Sequence, residues 1–110
     1  MGSPMDTRRG GSPPNMRLGI RVDCVVRRNH PSPLHRVQAV GGRSRDGERW
    51  RLSEDAAISA IDNERAIFYV EWPQGHRLDL VVGEGLGKRY LKTEVDGEVP
   101  ERLLGLPDCG

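Results

Sequence analysis

The sequence predicts an α+β domain, an antiparallel sheet of about five to six strands with one short helix on one face, in the order β-β-β-α-β-β-β. Three observations carry this. Several separated segments place apolar residues at every second position, one segment alone has helical spacing, and glycine or proline clusters divide them.

The first strand runs from Arg17 to Arg27. Leu18, Ile20, Val22, Cys24 and Val26 lie on one face, with Arg17, Gly19, Arg21, Asp23 and Arg27 opposite and Val25 the one apolar exception. The prolines of His30-Pro31-Ser32-Pro33 forbid regular pairing and impose a loop. Leu34 to Val40 resumes a weaker period of two through Val37 and Ala39, and Gly41-Gly42 is expected to break it. Asp46-Gly47 marks a turn before a short third strand at Trp50 and Leu52.

Ser53 stands ahead of Glu54-Asp55, so its hydroxyl can cap a helix while the two acids occupy the positive end of the helix dipole. Ala57, Ile58 and Ile61 give that helix its apolar face from about Glu54 to Asp62, with a stop near Asn63. Ala66 to Trp72 is rich in β-formers, Pro73-Gln74-Gly75 supplies a turn, and Leu78, Leu80 and Val82 alternate again, which predicts a hairpin. Gly83, Gly85 and Gly87 read as a flexible link to a last strand, Lys88 to Thr93. Asp96-Gly97 and Pro100 then lead into an apolar clip of Leu103, Leu104 and Leu106. Three leucines before a proline predict that the C-terminus is packed onto the core.

Residues 1–16 are mostly Gly, Ser, Pro and Arg without apolar periodicity, the composition of a disordered tail. Met1-Gly2-Ser3-Pro4 has the look of a tag remnant, leaving Met5 or Met16 as candidate native starts. Residues 17–110 form the expected single domain. No apolar run approaches the ~20 residues of a membrane span, and the N-terminus lacks the apolar core of a secretory signal, so the expected setting is cytoplasmic, with no membrane partner. Two cysteines are too few for a disulfide framework, and Cys24 is expected to be a buried thiol. A bridge to Cys109 would require the tail to return beside the first strand.

Net charge is +1, but the halves differ. Residues 1–51 carry eleven Arg and four acids, net +7, and residues 52–110 carry six bases and twelve acids, net −6. The arginines Arg21, Arg27, Arg28, Arg43, Arg45, Arg49 and Arg51 sit on or near the first three strands, where a sequentially connected sheet would bring them to one side. Guanidinium suits bidentate phosphate contacts, and Trp72 or Tyr69 could stack a base, so Arg27, Arg28, Arg43, Arg45, Arg49 and Arg51 are the candidate nucleic-acid or partner-binding residues. No RNP, KH or helix-turn-helix pattern accompanies them. The same asymmetry serves protein association, through charge complementarity or an exposed strand edge that would also allow a homodimer.

Enzyme and cofactor signatures fail on spacing. Gly83-Glu84-Gly85-Leu86-Gly87-Lys88 lacks the Walker A interval and a following Ser or Thr, and no βαβ unit surrounds it. His30, His35, His76 and the cysteines form no short-spaced ligand pair, so no metal or other cofactor is expected. Lys92, Thr93 and Asp96 come closest to a catalytic group, but Asp96 ahead of Gly97 reads better as a turn former.

Val40-Gly41-Gly42, Trp50 to Ile61, Phe68-Tyr69-Val70 and the closing cassette Tyr90-Leu91-Lys92-Thr93, Asp96, Leu103-Leu104, Leu106-Pro107 and Cys109 together resemble DUF3892, a family of short, mostly bacterial domains of unknown function. The resemblance covers about residues 17–109. Where that family often has an asparagine before the paired leucines, this chain has Arg102. The resemblance implies a domain boundary and a fold but no activity. The cassette reads as structural on its own residues, with Tyr90, Leu91 and the three leucines expected to lock the C-terminus to the core and Thr93 and Asp96 to shape the turn. The resulting expectation is a non-enzymatic binding or accessory module with an unidentified protein partner, nucleic acid being the alternative and a small enzyme the least favoured reading.

Overall fold

The computed structural model describes residues 19–73 and 75–110, so the expected N-terminal tail and the start of the expected first strand lie outside the described residues. The elements are β1 (Ile20–Arg21), β2 (Cys24–Arg27), a 3-10 turn (Pro33–His35), β3 (Val37–Arg43), β4 (Arg49–Ser53), α1 (Glu54–Asp62), β5 (Phe68–Glu71), β6 (Arg77–Gly85), β7 (Lys88–Thr93) and a short α2 (Glu101–Leu104). The fold is α+β, and its seven strands divide between a mixed sheet, β1-β5-β6-β7, and an antiparallel sheet, β2-β3-β4. β1 runs parallel to β5; the other pairs are antiparallel.

The division originates in the first expected strand, which is two. Val22 N–H donates to Tyr69 O at 2.7 Å in one sheet, and Asp23 N–H, the next along, donates to Gly41 O at 2.9 Å in the other. The chain therefore crosses between sheets at this peptide, and the phase of burial slips with it. Val22 is buried, and Val25, the exception to the alternation, is completely so, while Val26 is half-buried.

Gly41-Gly42 does not end β3 but lies inside it, because each glycine admits a close neighbour. A Cβ on Gly41 would stand 2.9 Å from Cys24 Sγ and 3.0 Å from Cys109 Sγ, and one on Gly42 would meet the Arg21 carbonyl and, at 3.1 Å, the Trp50 ring. A register shift between Val26 and Arg27 sets Val26 opposite Ala39 but Arg27 opposite Val37. The extra residue on β3 lets Val37 and Val40, three apart, both turn into the core, which a strict period of two could not do.

Gly83 and Gly85 belong to β6 rather than to a flexible link. Gly83 pairs with Tyr90, whose ring occupies the space a Cβ would need, and the turn is only Leu86-Gly87, with φ of 54° and 71°. Two successive positive φ values are what a tight two-residue hairpin requires.

The helix follows its sequence signals: Ser53 Oγ accepts the Ala56 N–H at 3.1 Å, and Ala57 and Ile58 are buried. Arg89 of β7 grips Asp62 at its far end through contacts of 2.6 and 2.8 Å, which hold the Asp62 carboxyl below the usual carboxylate range. Both sheets and both helices feed one core, including Val25, Val40, Ile58, Phe68, Val70, Leu80, Leu91 and Leu103.

The C-terminal segment returns beside β2. Val25 N–H donates to Pro107 O at 2.9 Å and Cys109 N–H to Val25 O at 3.1 Å, which brings Cys109 Cα to 4.8 Å from that of Cys24. The two cysteines form a disulfide, correcting the expectation of a buried thiol at Cys24. The sequence interval of 85 residues hides this proximity.

Candidate protein-docking edge

The β3–β4 hairpin presents two faces that differ in kind. Trp50 and Leu52 turn inward, Trp50 packing on Phe68 with ring centroids 6.0 Å apart. The outward positions pair Arg43 with Arg49, Gly41 with Arg51 and Ala39 with Ser53, and β2 adds Cys24 and Val26. Arg43, Arg49 and Arg51 are exposed.

The turn that closes this hairpin is self-sufficient. Ser44 N–H donates to Glu48 O at 2.8 Å, Gly47 N–H to Ser44 O at 3.0 Å, and Asp46 takes the Ser44 hydroxyl and, at 3.2 Å, the Glu48 N–H. The Ser44 hydroxyl bond, then the Glu48 N–H, hold the Asp46 carboxyl below its ordinary value. Its acid is thereby committed to the turn, and Arg43 reaches the Gly47 carbonyl at 3.1 Å. Among the described residues Arg43, Arg45, Arg49 and Arg51 make no ion pair. Arg43 directly opposite Arg49 is a like-charge cross-strand pair, which works against the hairpin unless an anion joins it.

The arginines do not gather on one side. Arg27 and Arg28 lie at the opposite end of the β2–β3 ladder, where Arg27 donates to the carbonyls of Leu104 and Leu106 at 3.3 and 2.9 Å and pairs with Asp108 at 3.2 Å. Arg27 thus clamps the C-terminal segment. Arg28 is exposed with no side-chain partner among the described residues, and Arg21 pairs with Glu71 at 3.4 Å. Tyr69, under the Arg77 guanidinium at 4.4 Å, and exposed Trp72 belong to β5 and its turn, in the other sheet. The outward positions around Arg49 contain no aromatic residue.

Sheet edges differ in how they are closed. On β7, Leu91 N–H donates to Glu54 Oε2 at 3.1 Å and Thr93 N–H to Asp96 Oδ2 at 3.0 Å, two buried carboxylates standing where another strand would bind. Lys88 neutralises Glu54 at 2.7 Å, and Arg102 Nη1 reaches Asp96 at 3.0 Å. The C-terminal segment covers β2 through the bridge from Val25 to Asp108. β1 is only two residues long. Among the described residues no strand or side chain bonds to the outer edge of β4.

The cassette residues surround this framework. Tyr90 donates its hydroxyl to Glu98 O at 2.8 Å and Lys92 Nζ to Gly97 O at 3.0 Å; Leu91, Thr93 and Leu103 are fully buried and Leu106 nearly so, with Leu104 against the core. Thr93 Oγ1 has no partner, so the backbone N–H and not the hydroxyl meets Asp96. Sequence reasoning missed the roles of Glu54 and the disulfide. An acid in a helix first turn reads as complementing the dipole, and nothing in its spacing points to Leu91. Among the described residues no group of three or more His, Cys, Asp or Glu could hold a metal ion, and no helix is long and apolar enough to cross a membrane.

In comparisons with known proteins, the family model described as protein of unknown function (DUF3892) matches residues 21–107. No curated protein and no solved structure matches the chain.

Proposed function

The chain belongs to the DUF3892 family, and we propose that it is a non-enzymatic module that binds an acidic, extended segment of a partner protein along β4. The observation that carries the reading is the facing pair Arg43 and Arg49, without an acid among the described residues, beside a strand edge with unmet backbone groups. An added strand would take its affinity from main-chain hydrogen bonds, and its alternate side chains would lie over Arg49 and Arg51. Carboxylates at those positions relieve the like-charge contact and receive guanidinium forks.

Two other occupants fit less well. A second copy docked β4 to β4 would oppose arginine with arginine. A nucleic acid would find phosphate contacts, but the stacking aromatics belong to the other sheet.

Fluorescence anisotropy with a labelled alternating Glu-Val peptide tests this, with an alternating Lys-Val peptide and poly-uridylate as competitors. Binding of the acidic peptide should weaken roughly tenfold in Arg43→Ala/Arg49→Ala and fall with added salt. Equal affinity for the Lys-Val peptide, or an unaffected double variant, refutes the reading. Tighter binding of poly-uridylate assigns the arginines to nucleic acid instead.

A further inference from the structure

The disulfide lies on the same outward face as the arginines, above Gly41, and its two sulfurs are not equivalent. Cys24 is 3% exposed, whereas Cys109 is half-buried between exposed Asp108 and Gly110. Arg49 Nη2 stands 3.9 Å from Cys24 Sγ. Arg51, opposite Gly41, lies on the next strand of that face. The one acid adjoining Cys109, Asp108, is paired with Arg27 at 3.2 Å.

From this geometry we propose that Cys109 is a thiol-exchange site for small anionic thiols, with Arg49 stabilising the leaving thiolate of Cys24. Exchange needs an accessible sulfur to attack and a leaving group of low basicity. Only Cys109 meets the first condition. The second is met at Cys24, since a guanidinium against the sulfur favours the thiolate over the thiol. The incoming thiolate forms a bond to Cys109 Sγ, the Cys24–Cys109 bond breaks, and its electron pair leaves on Cys24 Sγ beside Arg49. The external thiol is oxidised to a mixed disulfide as Cys24 is reduced. A second thiolate of the same class then attacks its own kind in that mixed disulfide. It releases a small-molecule disulfide and the Cys109 thiolate, which takes a proton from water.

The change stays local. Arg27 still holds the carbonyls of Leu104 and Leu106, and Leu103 remains in the core, so only the last residues, from Pro107 onward, are released from β2. That release would uncover the backbone of Val25, which otherwise bonds to Pro107 and Cys109.

Exposure of the oxidised protein to reduced glutathione, followed by acid quench and peptide mass spectrometry, reads the direction of attack. The adduct is expected on Cys109. Cysteamine, a cationic thiol, should react several-fold more slowly than glutathione at matched thiolate concentration, and Arg51→Ala should narrow that gap. Arg49→Gln should slow exchange several-fold, with Arg49→Lys restoring most of the rate, which separates charge at the leaving sulfur from a general loosening of the hairpin. A first adduct on Cys24, equal rates for the two thiols, or an Arg49→Gln variant as fast as the parent protein would each overturn the assignment.

Discussion

Gly41 and Gly42 serve opposite faces of one strand. Gly41 leaves room for the disulfide outside, and Gly42 lets the Trp50 indole and the Arg21 carbonyl approach inside. A methyl group at Gly41 would also stand 2.8 Å from the Trp50 carbonyl, a backbone atom that cannot swing away. Gly41→Ala should therefore destabilise the oxidised protein by about 1–3 kcal/mol, as overpacking does, and leave a fraction of molecules with free thiols. Chemical denaturation with thiol titration checks this; full oxidation at unchanged stability would contradict it. The paired glycines were legible as unusual, but glycine's low strand propensity makes a break the natural reading. Their reason is the volume of Cys24 and Cys109 against Gly41 and of Arg21 and the Trp50 indole against Gly42, neighbours set by pairing across the sheets that no reading of the glycines' own segment shows.

The elements with strong local signals match the sequence. Ser53 caps α1, and Phe68, Tyr69 and Val70 lie in β5. Less legible is what seals the edge of β7. Glu54 reads as a dipole-complementing acid, yet it is buried and accepts the Leu91 N–H besides pairing with Lys88. Glu54→Ala should cost about 1–3 kcal/mol, because it strands a buried backbone donor, and should speed hydrogen exchange of the Leu91 amide. An unchanged Leu91 exchange rate would show that the carboxylate does not close this edge. The sealing of β7 bears on the proposed docking, because among the described residues it leaves β4 as the open edge.

At the scale of the whole molecule, the division into two sheets depends on one peptide, Val22-Asp23, whose neighbouring amides serve different strands. Alternation over Arg17 to Arg27 continues through that point and so conceals it. The disulfide is equally remote from sequence logic. By closing an interval of 85 residues it would contribute about 4–5 kcal/mol in the chain-entropy account, and it fixes the last residues against β2. Charge asymmetry was fully legible, but its spatial meaning was not. Arg27 is spent on the C-terminal segment, whereas Arg43, Arg49 and Arg51 remain outward on the hairpin.

The proposed docking places an acidic strand along β4, beside its arginines. Titration of nitrogen-labelled protein with the alternating Glu-Val peptide reads that docking residue by residue through amide shifts. The largest changes should fall on Arg49 to Ser53 and the facing Arg43, with Leu91 and Thr93 unmoved. Shifts centred on β7, or absent from β4 at saturation, would contradict it.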